Sequence, residues 1–460
     1  MSSRRTPPAE GEAPARTHAL AGALAVTATV GYGVLLYAFG VVLEPMRAEL
    51  GWSSAQASAG LTVGLVTAGL CAPTIGRAID RFGARGVMVA GSLVGGTGVV
   101  AWASTTGFVT YVLAWVVIGL GMAMSLYEPA FAAITRHAPG RRRRSVLVVT
   151  VAAGFASTIF IPLTEALASA LGWRDALLIL GLALAAIATP LHLLGLPPRG
   201  RVVAPDPADP AGAGATAPDD AAAGPEPAAE PPAAPGPAAP AHPAPAPPPA
   251  AGAPAHQPPT LATSPTLRRL VLALVLGATP MVAVGAHLVA FLLEAGRSAA
   301  LAAALAGGVG VAKVLGRLVV GPALGWLTAR AAMAVSFGSQ AVGLLLPLVV
   351  PTLTADVAMV VLFGLGSGAM TVVKPLYIVD LFGLRGFGVT QGRAVRVVQL
   401  AQAGAPLLIG AFATLAGGYW PGWLLLAVGS AVAAVLLPRP GHPPRPFTPR
   451  SPRRRSRAAS

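Results

Sequence analysis

Residues 76–85 read GRAIDRFGAR and separate two long apolar segments, 56–75 and 86–104. Each segment has about the 20 residues that a helix needs to cross the hydrocarbon core of a bilayer. A helix satisfies its own backbone hydrogen bonds, which lipid cannot do, so segments of this kind are predicted to be membrane spans. The charged stretch between them is then expected to be a short loop at the membrane surface.

The same alternation of apolar segments and short polar connections continues along the chain. Hydrophobic residues make up 54% and charged residues 11% of the 460 residues, whereas a soluble domain has about 25% charged residues. We therefore predict an all-α integral membrane protein with two six-helix halves. The predicted spans are 19–43, 56–75, 86–104, 108–134, 145–170 and 176–196 in the first half, and 270–293, 299–322, 331–350, 356–378, 394–416 and 423–438 in the second.

Composition excludes several kinds of site. The chain has one cysteine, Cys71, inside an apolar segment, which rules out a disulfide framework and argues against a metal site. The net charge of +15 comes mostly from arginines at span ends, including 141–144 and 453–455, and this placement favours topology signals over nucleic-acid binding. No catalytic or nucleotide-binding motif lies in a suitable context, so neither an enzyme nor a cofactor is predicted.

Arginine is distributed unevenly between the two sets of connections. The connections on the side of the N-terminus carry most arginines, whereas the opposite ones carry only Arg47, Arg174 and Arg297. Positive loops stay in the cytoplasm, so both termini are predicted to be cytoplasmic in the cell (inner) membrane. The first apolar segment is too long for a cleavable signal peptide.

The chain divides into five predicted regions. Between residues 205 and 259 lie 19 prolines, six acidic residues and no aromatic residue, a composition that cannot build a core and predicts a disordered tether. The regions are a disordered N-terminal tail (1–18), the first half (19–196), a Pro/Ala-rich cytoplasmic linker (197–267), the second half (268–438) and a basic disordered tail (439–460).

The stretch 76–85 resembles the signature Gly-x-x-x-Asp-Arg-x-Gly-x-Arg of the major facilitator superfamily, at the expected place between helices 2 and 3. The resemblance implies transport by alternating access. It also implies a conformational latch, in which Asp80 meets the positive N-terminal end of helix 11 near 391–393. Gly76 is expected to permit a close helix crossing, and an ordinary basic loop is the alternative. The latch residues are Gly76, Asp80, Arg81, Gly83 and Arg85.

Looser matches suggest a branch of this superfamily. Segments 38–45 and 49–53, with His287 and the pair Gly316-Arg317, are similar to bacterial monocarboxylate and oxalate/formate porters. Helix 4 has Trp115 where many proton-coupled members carry an arginine. This departure counts against proton-driven drug export.

Ionisable residues inside the spans are the main functional candidates. The chain has 30 arginines but only two lysines, Lys313 and Lys374, and both lie within predicted spans. Charges in a membrane are costly and therefore usually functional. The alternative for Lys374 and Arg317 is that a long side chain extends to the membrane surface.

A repeated pattern links the two halves. Span 4 contains Tyr127-Glu128-Pro129 and span 10 contains Lys374-Pro375, at equivalent distances from a Gly-Leu-Gly motif apart from a one-residue offset. We expect Glu128 and Lys374 to face each other across the transport path, where substrate or proton binding would break the pair. Each proline removes a backbone hydrogen bond and can bend its helix, and plain structural kinks are the alternative explanation of both.

Several further residues are candidates for weaker roles. His287 is a candidate proton acceptor or substrate donor, with a buried helix-interface histidine as the alternative. Glu165 is expected to be a solvated carboxylate at the outer end of span 5. Neutral hydrogen bonds to a substrate are expected from Tyr32, Tyr37, Gln399 and Gln402.

Together these features predict a secondary transporter of a small organic solute. A monocarboxylate or similar anion is favoured because Lys313, Lys374 and Arg317 lie in the second half without a deep carboxylate. A coupled proton or counter-anion is expected, and the protein is expected to act as a monomer in the bilayer. The alternatives are an exporter of amphipathic or drug-like compounds and a non-transporting sensor.

Overall fold

The computed structural model describes residues 12–137, 142–198, 264–324, 326–382 and 387–439, and within these ranges the chain is helical without strands. Eleven helices in this part are long and apolar enough to cross a membrane, and Trp420–Leu436 is a shorter apolar helix. We number these segments spans 1 to 12 in chain order. The predicted all-α fold is confirmed.

Three spans in the first half consist of more than one helix. Span 1 comprises Glu12–Tyr32, a π-helical turn Gly33–Tyr37 and Ala38–Leu50; spans 2 and 3 are Ser54–Phe82 and Ala84–Ala103; span 4 comprises Phe108–Ser125 and Tyr127–His137; span 5 comprises Arg142–Gly154 and Ala156–Leu171; span 6 is Trp173–Gly195. Spans 7 to 12 are Pro265–Glu294, Ala299–Ala323, Ala329–Val349, Leu353–Phe382, Phe387–Ala416 and Trp420–Leu436.

The predicted loop 76–85 is mostly helical. Span 2 continues through Phe82, and span 3 begins at Ala84, so the connection is Gly83 alone. Gly83 has a φ of 85°, a conformation that favours glycine, and its N–H donates to Ile79 O at 2.8 Å. The predicted loop boundaries, 76 and 85, were wrong because a single glycine in this conformation suffices to end one helix and start the next.

Span 7 begins earlier than predicted. The linker was expected to end at residue 267, but the helix begins at Pro265. Ser264 caps this helix by accepting a hydrogen bond from Leu267 N at 3.2 Å, and proline is favoured in the first turn. The rest of the predicted linker, from 199 to 263, lies outside the described residues.

Glycines bring helices close together within the first half. A Cβ on Gly64 would lie 2.7 Å from the Trp115 side chain, and one on Gly91 would lie 2.6 Å from Met124 Cβ. A Cβ on Gly121 would lie 2.5 Å from Gly95 Cα. Only glycine fits such crossings without displacing a neighbour.

The two halves contact each other at one end of the bundle. We call the end where span 1 begins and span 12 ends the terminal end, and the opposite end the far end. Near the far end, span 2 packs on span 11, span 5 on span 8 and span 1 on span 7. The hydrogen bonds that cross between the halves there are Ala55 N to Thr414 Oγ1 (3.1 Å), Leu407 N to Thr62 Oγ1 (3.2 Å), Thr158 Oγ1 to Gly307 O (2.9 Å) and Tyr419 Oη to Glu44 Oε1 (3.1 Å).

Each half also has an ion pair near its own far end. Arg174 Nε lies 2.9 Å from Glu49 Oε1, and both side chains are partly exposed. In the second half, Arg297 Nε lies 2.7 Å from Asp356 Oδ2, and the Asp356 side chain is only 1% exposed. These pairs hold connections between spans within one half.

Candidate functional site

A cavity of about 450 Å³ lies between the two halves. Eight spans line it with residues from their middle parts and from the parts nearer the terminal end. Its charged and polar lining residues are Tyr32, Tyr37, Tyr127, Glu128, Lys313, Arg317, Thr371, Gln399 and Gln402. Packing between the halves closes this central cavity toward the far end.

Two cations from span 8 line the central cavity. Lys313 is 8% exposed, and its ammonium makes no hydrogen bond or ion pair within the described part of the chain. Arg317 is half-buried and donates from Nη1 to Thr150 O in the other half at 2.8 Å. The alternative prediction, that Arg317 extends to the membrane surface, does not hold, because this bond and the position in the cavity keep its side chain inside the protein. Lys313 is thus a buried cation without a counter-charge among the described residues, an arrangement that is costly in a membrane protein.

Gly154 makes the position of Arg317 possible. A Cβ at Gly154 would lie 3.0 Å from Arg317 Nη1 and 2.9 Å from Val314 Cγ2. The absence of a side chain therefore lets the guanidinium reach the backbone of span 5.

The break in span 4 positions Tyr127 and Glu128. The first helix ends at Ser125, Leu126 has a ψ of −147°, and a new helix begins at Tyr127. Pro129 has no N–H to donate to Ser125 O, so it favours a break there. Span 10 stays continuous from Leu353 to Phe382 despite Pro375, so only the first of the two prolines coincides with a break.

Aromatic side chains surround the start of the new helix. The Tyr127 ring packs on Tyr32 with a centroid distance of 4.6 Å and stacks on Phe131 at 5.1 Å. The Glu128 carboxylate is exposed and forms no ion pair within the described part. It is therefore available to solute or protons in the cavity.

A second, much smaller cavity lies on the other side of Lys313. It has a volume of about 20 Å³, which is enough for a single water molecule. Its lining includes Tyr37, Ser157 and Lys313. Ser157 Oγ is buried and has no partner within the described residues. Lys313 and Tyr37 line both cavities, and the smaller one, which is otherwise mostly apolar, lies nearer the far end.

Three predicted residues do not line the central cavity. His287 is fully buried, with Nε2 2.9 Å from Pro406 O and its ring 5.3 Å from that of Tyr419, so it lies in the interface of spans 7 and 11. Lys374 and Glu165 are partly buried and are also absent from the lining. Lys374 forms no ion pair with Glu128, so the expected pairing of these two charges is absent in this conformation.

The latch motif lies at the terminal end, and its engagement with span 11 is not tested by the described residues. Asp80 is exposed and makes no hydrogen bond or ion pair within the described part of the chain. Its predicted partners, 391–393, have side chains outside the described residues. Arg81 is exposed and packs over the Phe82 ring, and Arg85 is partly buried.

Gly76 lies inside the helical extension of span 2. It is exposed, and no described atom lies within 4 Å of where its Cβ would be. The close helix crossing expected there is therefore not made among the described residues.

Sequence reasoning missed several cavity residues. Thr371 lines the cavity, with its hydroxyl bonded to Gly368 O at 2.7 Å, and Ser157 lines the small one. Neither carries a signal in the sequence, because serine and threonine are common in membrane helices. The Thr150 carbonyl that binds Arg317 is equally invisible to a reading of side chains.

The model of the Major Facilitator Superfamily matches residues 24–346, which is more than half of the 460 residues. The chain therefore belongs to this superfamily. It is a multi-pass membrane transporter of small solutes rather than an enzyme, as predicted. No match to curated proteins was found, so the comparisons do not place it in the monocarboxylate and oxalate/formate branch.

Solved structures share the fold. The nucleoside transporter NupG aligns over 92% of this chain and 98% of its own with a TM-score of 0.67 and 14% identity. A bacterial homologue of the lysosomal transporter Spinster, in an inward-facing and unoccupied conformation, aligns over 92% and 95% with a TM-score of 0.62 and 16% identity. A D-xylose–proton symporter aligns over 90% and 97% with a TM-score of 0.61 and 14% identity.

Proposed function

We propose that this transporter moves a small organic anion, such as a monocarboxylate, through the central cavity by alternating access. The observation that carries the proposal is the buried Lys313 beside Arg317 in that cavity, with no ion-pair partner among the described residues. A carboxylate on the solute would satisfy both cations. The sequence resemblance to monocarboxylate and oxalate/formate porters favours the same class.

The charge balance of the cavity supports an anion. Its charged lining residues are Lys313, Arg317 and Glu128, so cations outnumber carboxylates by one. An organic cation would meet two like charges, and a neutral solute would leave Lys313 without a counter-charge. A monoanion would bring the net charge of the occupied cavity to zero.

The size and remaining lining define the rest of the solute. About 450 Å³ falls in the range of pockets that enclose small molecules. The tyrosines and Gln402 offer neutral hydrogen bonds, while Leu61, Leu65 and Met281 provide an apolar wall. This wall also supports the second candidate, an exporter of amphipathic compounds.

Glu128 is proposed to couple transport to a proton or a counter-anion. It is exposed in the cavity and free of any ion pair in the described part. When the halves rearrange, it is the carboxylate placed to take up a proton or to compete with the solute for Lys313 and Arg317. This assignment replaces the pairing of Glu128 with Lys374.

The direction of opening follows from the predicted topology. If both termini are cytoplasmic, the closed far end is extracellular and the structure represents an inward-facing state.

The test is transport by the full-length protein in proteoliposomes. Radiolabelled lactate, formate and oxalate would be compared with an amphipathic cation, each with and without a pH gradient. Saturable uptake of a carboxylate that the other carboxylates inhibit is the expected result. Transport of the cation alone would replace the proposal with the second candidate.

A variant separates coupling from binding. Glu128→Gln should retain exchange of labelled for unlabelled carboxylate but lose acceleration by the pH gradient, because exchange needs no net proton movement. Equal stimulation by the gradient in Glu128→Gln and the unmodified protein would remove Glu128 from the coupling role.

A further inference from the structure

A second polar site lies at the terminal end of the second half, away from the central cavity. It is a groove of about 610 Å³. Its walls come from the start of span 7, the start of span 9 and the end of span 12. The lining residues are Pro265, Thr266, Arg269, Arg330, Val435, Leu436, Leu437, Pro438 and Arg439.

Three arginines from three separate segments converge on this groove, and no acidic residue lines it. Arg269 and Arg439 are exposed and make no hydrogen bond or ion pair within the described residues. Arg330 is partly buried, and its Nε donates to Leu437 O at 3.2 Å. Ordinary topology arginines account for one charge at each helix end, but not for three arginines around one groove that have no ion pair among the described residues.

The position of Arg439 is set by two bonds to the residues before it. The Arg330 bond to Leu437 O fixes the end of span 12 to span 9. The Tyr377 hydroxyl donates to Pro438 O at 2.5 Å, and this bond fixes the residue before Arg439 to span 10. The backbone that carries Arg439 is therefore held in place, so the groove is built by packing.

The groove also has an apolar side. Val435, four residues before Arg439, lines it and is 81% exposed. Trp326, four residues before Arg330, is 91% exposed, and exposed tryptophans are typical of the membrane–water interface. A ligand that fits both sides has an anionic head and an apolar tail.

We propose that this groove binds the phosphate headgroup of an anionic phospholipid. Basic pockets between membrane helices at the cytoplasmic side bind such headgroups. The positive end of the span 7 helix, which begins at Pro265 in the groove, adds to the attraction. The proposal is independent of the transported solute.

Native mass spectrometry of the full-length protein in detergent tests the proposal. Dioleoyl phosphatidylglycerol would be titrated against dioleoyl phosphatidylcholine, for the unmodified protein and for Arg269→Gln/Arg439→Gln. Both side chains are exposed and make no hydrogen bond or ion pair among the described residues, so this double variant is expected to fold normally. Each arginine near an anionic lipid contributes about fivefold in affinity, so the variant should bind phosphatidylglycerol about 25-fold more weakly.

The matched control is Arg268→Gln/Arg396→Gln. It removes two exposed arginines at the same membrane end that do not line the groove, and it should bind phosphatidylglycerol like the unmodified protein. An equal loss of phosphatidylglycerol affinity in both double variants would show that the lipid is attracted by the surface charge in general, and it would refute the proposed site. Displacement of the lipid by inorganic phosphate or glycerol 3-phosphate at similar concentration would identify a free-anion site and overturn the lipid assignment.

Discussion

The two lysines provide a direct test of which intramembrane charge binds the solute. Lys313→Gln removes a buried cation that lines the central cavity, whereas Lys374→Gln removes a partly buried cation that does not. Both variants lose the same charge from the same half. A difference between them therefore reports on position rather than on net charge.

The expected size of the effect follows from the contacts of Lys313. Its ammonium has no partner in the described part of the chain, so a solute carboxylate would form a new charge-assisted hydrogen bond. Such bonds contribute about 1.5–3 kcal/mol, which corresponds to about a 10- to 150-fold change in affinity. Glutamine keeps most of the side-chain volume, so the cavity should remain intact.

The assay is initial-rate uptake of the transported carboxylate in proteoliposomes over a range of concentrations. Lys313→Gln should raise KM within that range while leaving protein yield and melting temperature nearly unchanged, because the lost interaction is made with the solute. Lys374→Gln should change KM by less than about threefold. A normal KM in Lys313→Gln, or the same rise in both variants, would refute the assignment of Lys313 to solute binding.

Asp80→Asn should slow transport without lowering the melting temperature, since Asp80 contacts nothing described in this conformation; normal turnover would remove the latch from the mechanism. Gly121→Ala should lower stability by about 1–3 kcal/mol, because its Cβ would lie 2.5 Å from the Gly95 backbone. Gly22→Ala is the matched control, because no described atom lies within 4 Å of where its Cβ would be. Equal melting temperatures of the two variants would contradict the packing argument. Asp356→Asn should cost about 3 kcal/mol by leaving its arginine partner unpaired in a largely buried site, measured as thermal unfolding in detergent.

The span count and the cavity cations could be predicted because apolar length and rare charges are visible in the sequence. Lys313 stands out in an apolar segment, and the structure places it in the cavity. Lys374 stands out equally, yet it does not line the cavity. Which face a residue takes depends on the rotation of its helix against its neighbours. In spans that are apolar on all sides, the hydrophobic pattern does not record that rotation.

Features built from distant residues could not be predicted at all. Arg269, Arg330 and Arg439 are far apart in the sequence, and each alone resembles an ordinary helix-end charge. Their convergence depends on how spans 7, 9 and 12 pack. The helical course of residues 76–82 was missed for a different reason, because a motif known as a loop signature suggested more chain between spans 2 and 3 than the single Gly83 provides.

The far-end contacts between the halves determine how readily that end can separate. Three of the crossing bonds, through Thr62, Thr158 and Thr414, join neutral groups, and each contributes only about 0.5–1.5 kcal/mol. A solute shifts the balance between the two openings only by the difference in its affinity for them. A tenfold difference corresponds to about 1.4 kcal/mol, so a modest preference of the solute for one state offsets about one of these neutral bonds.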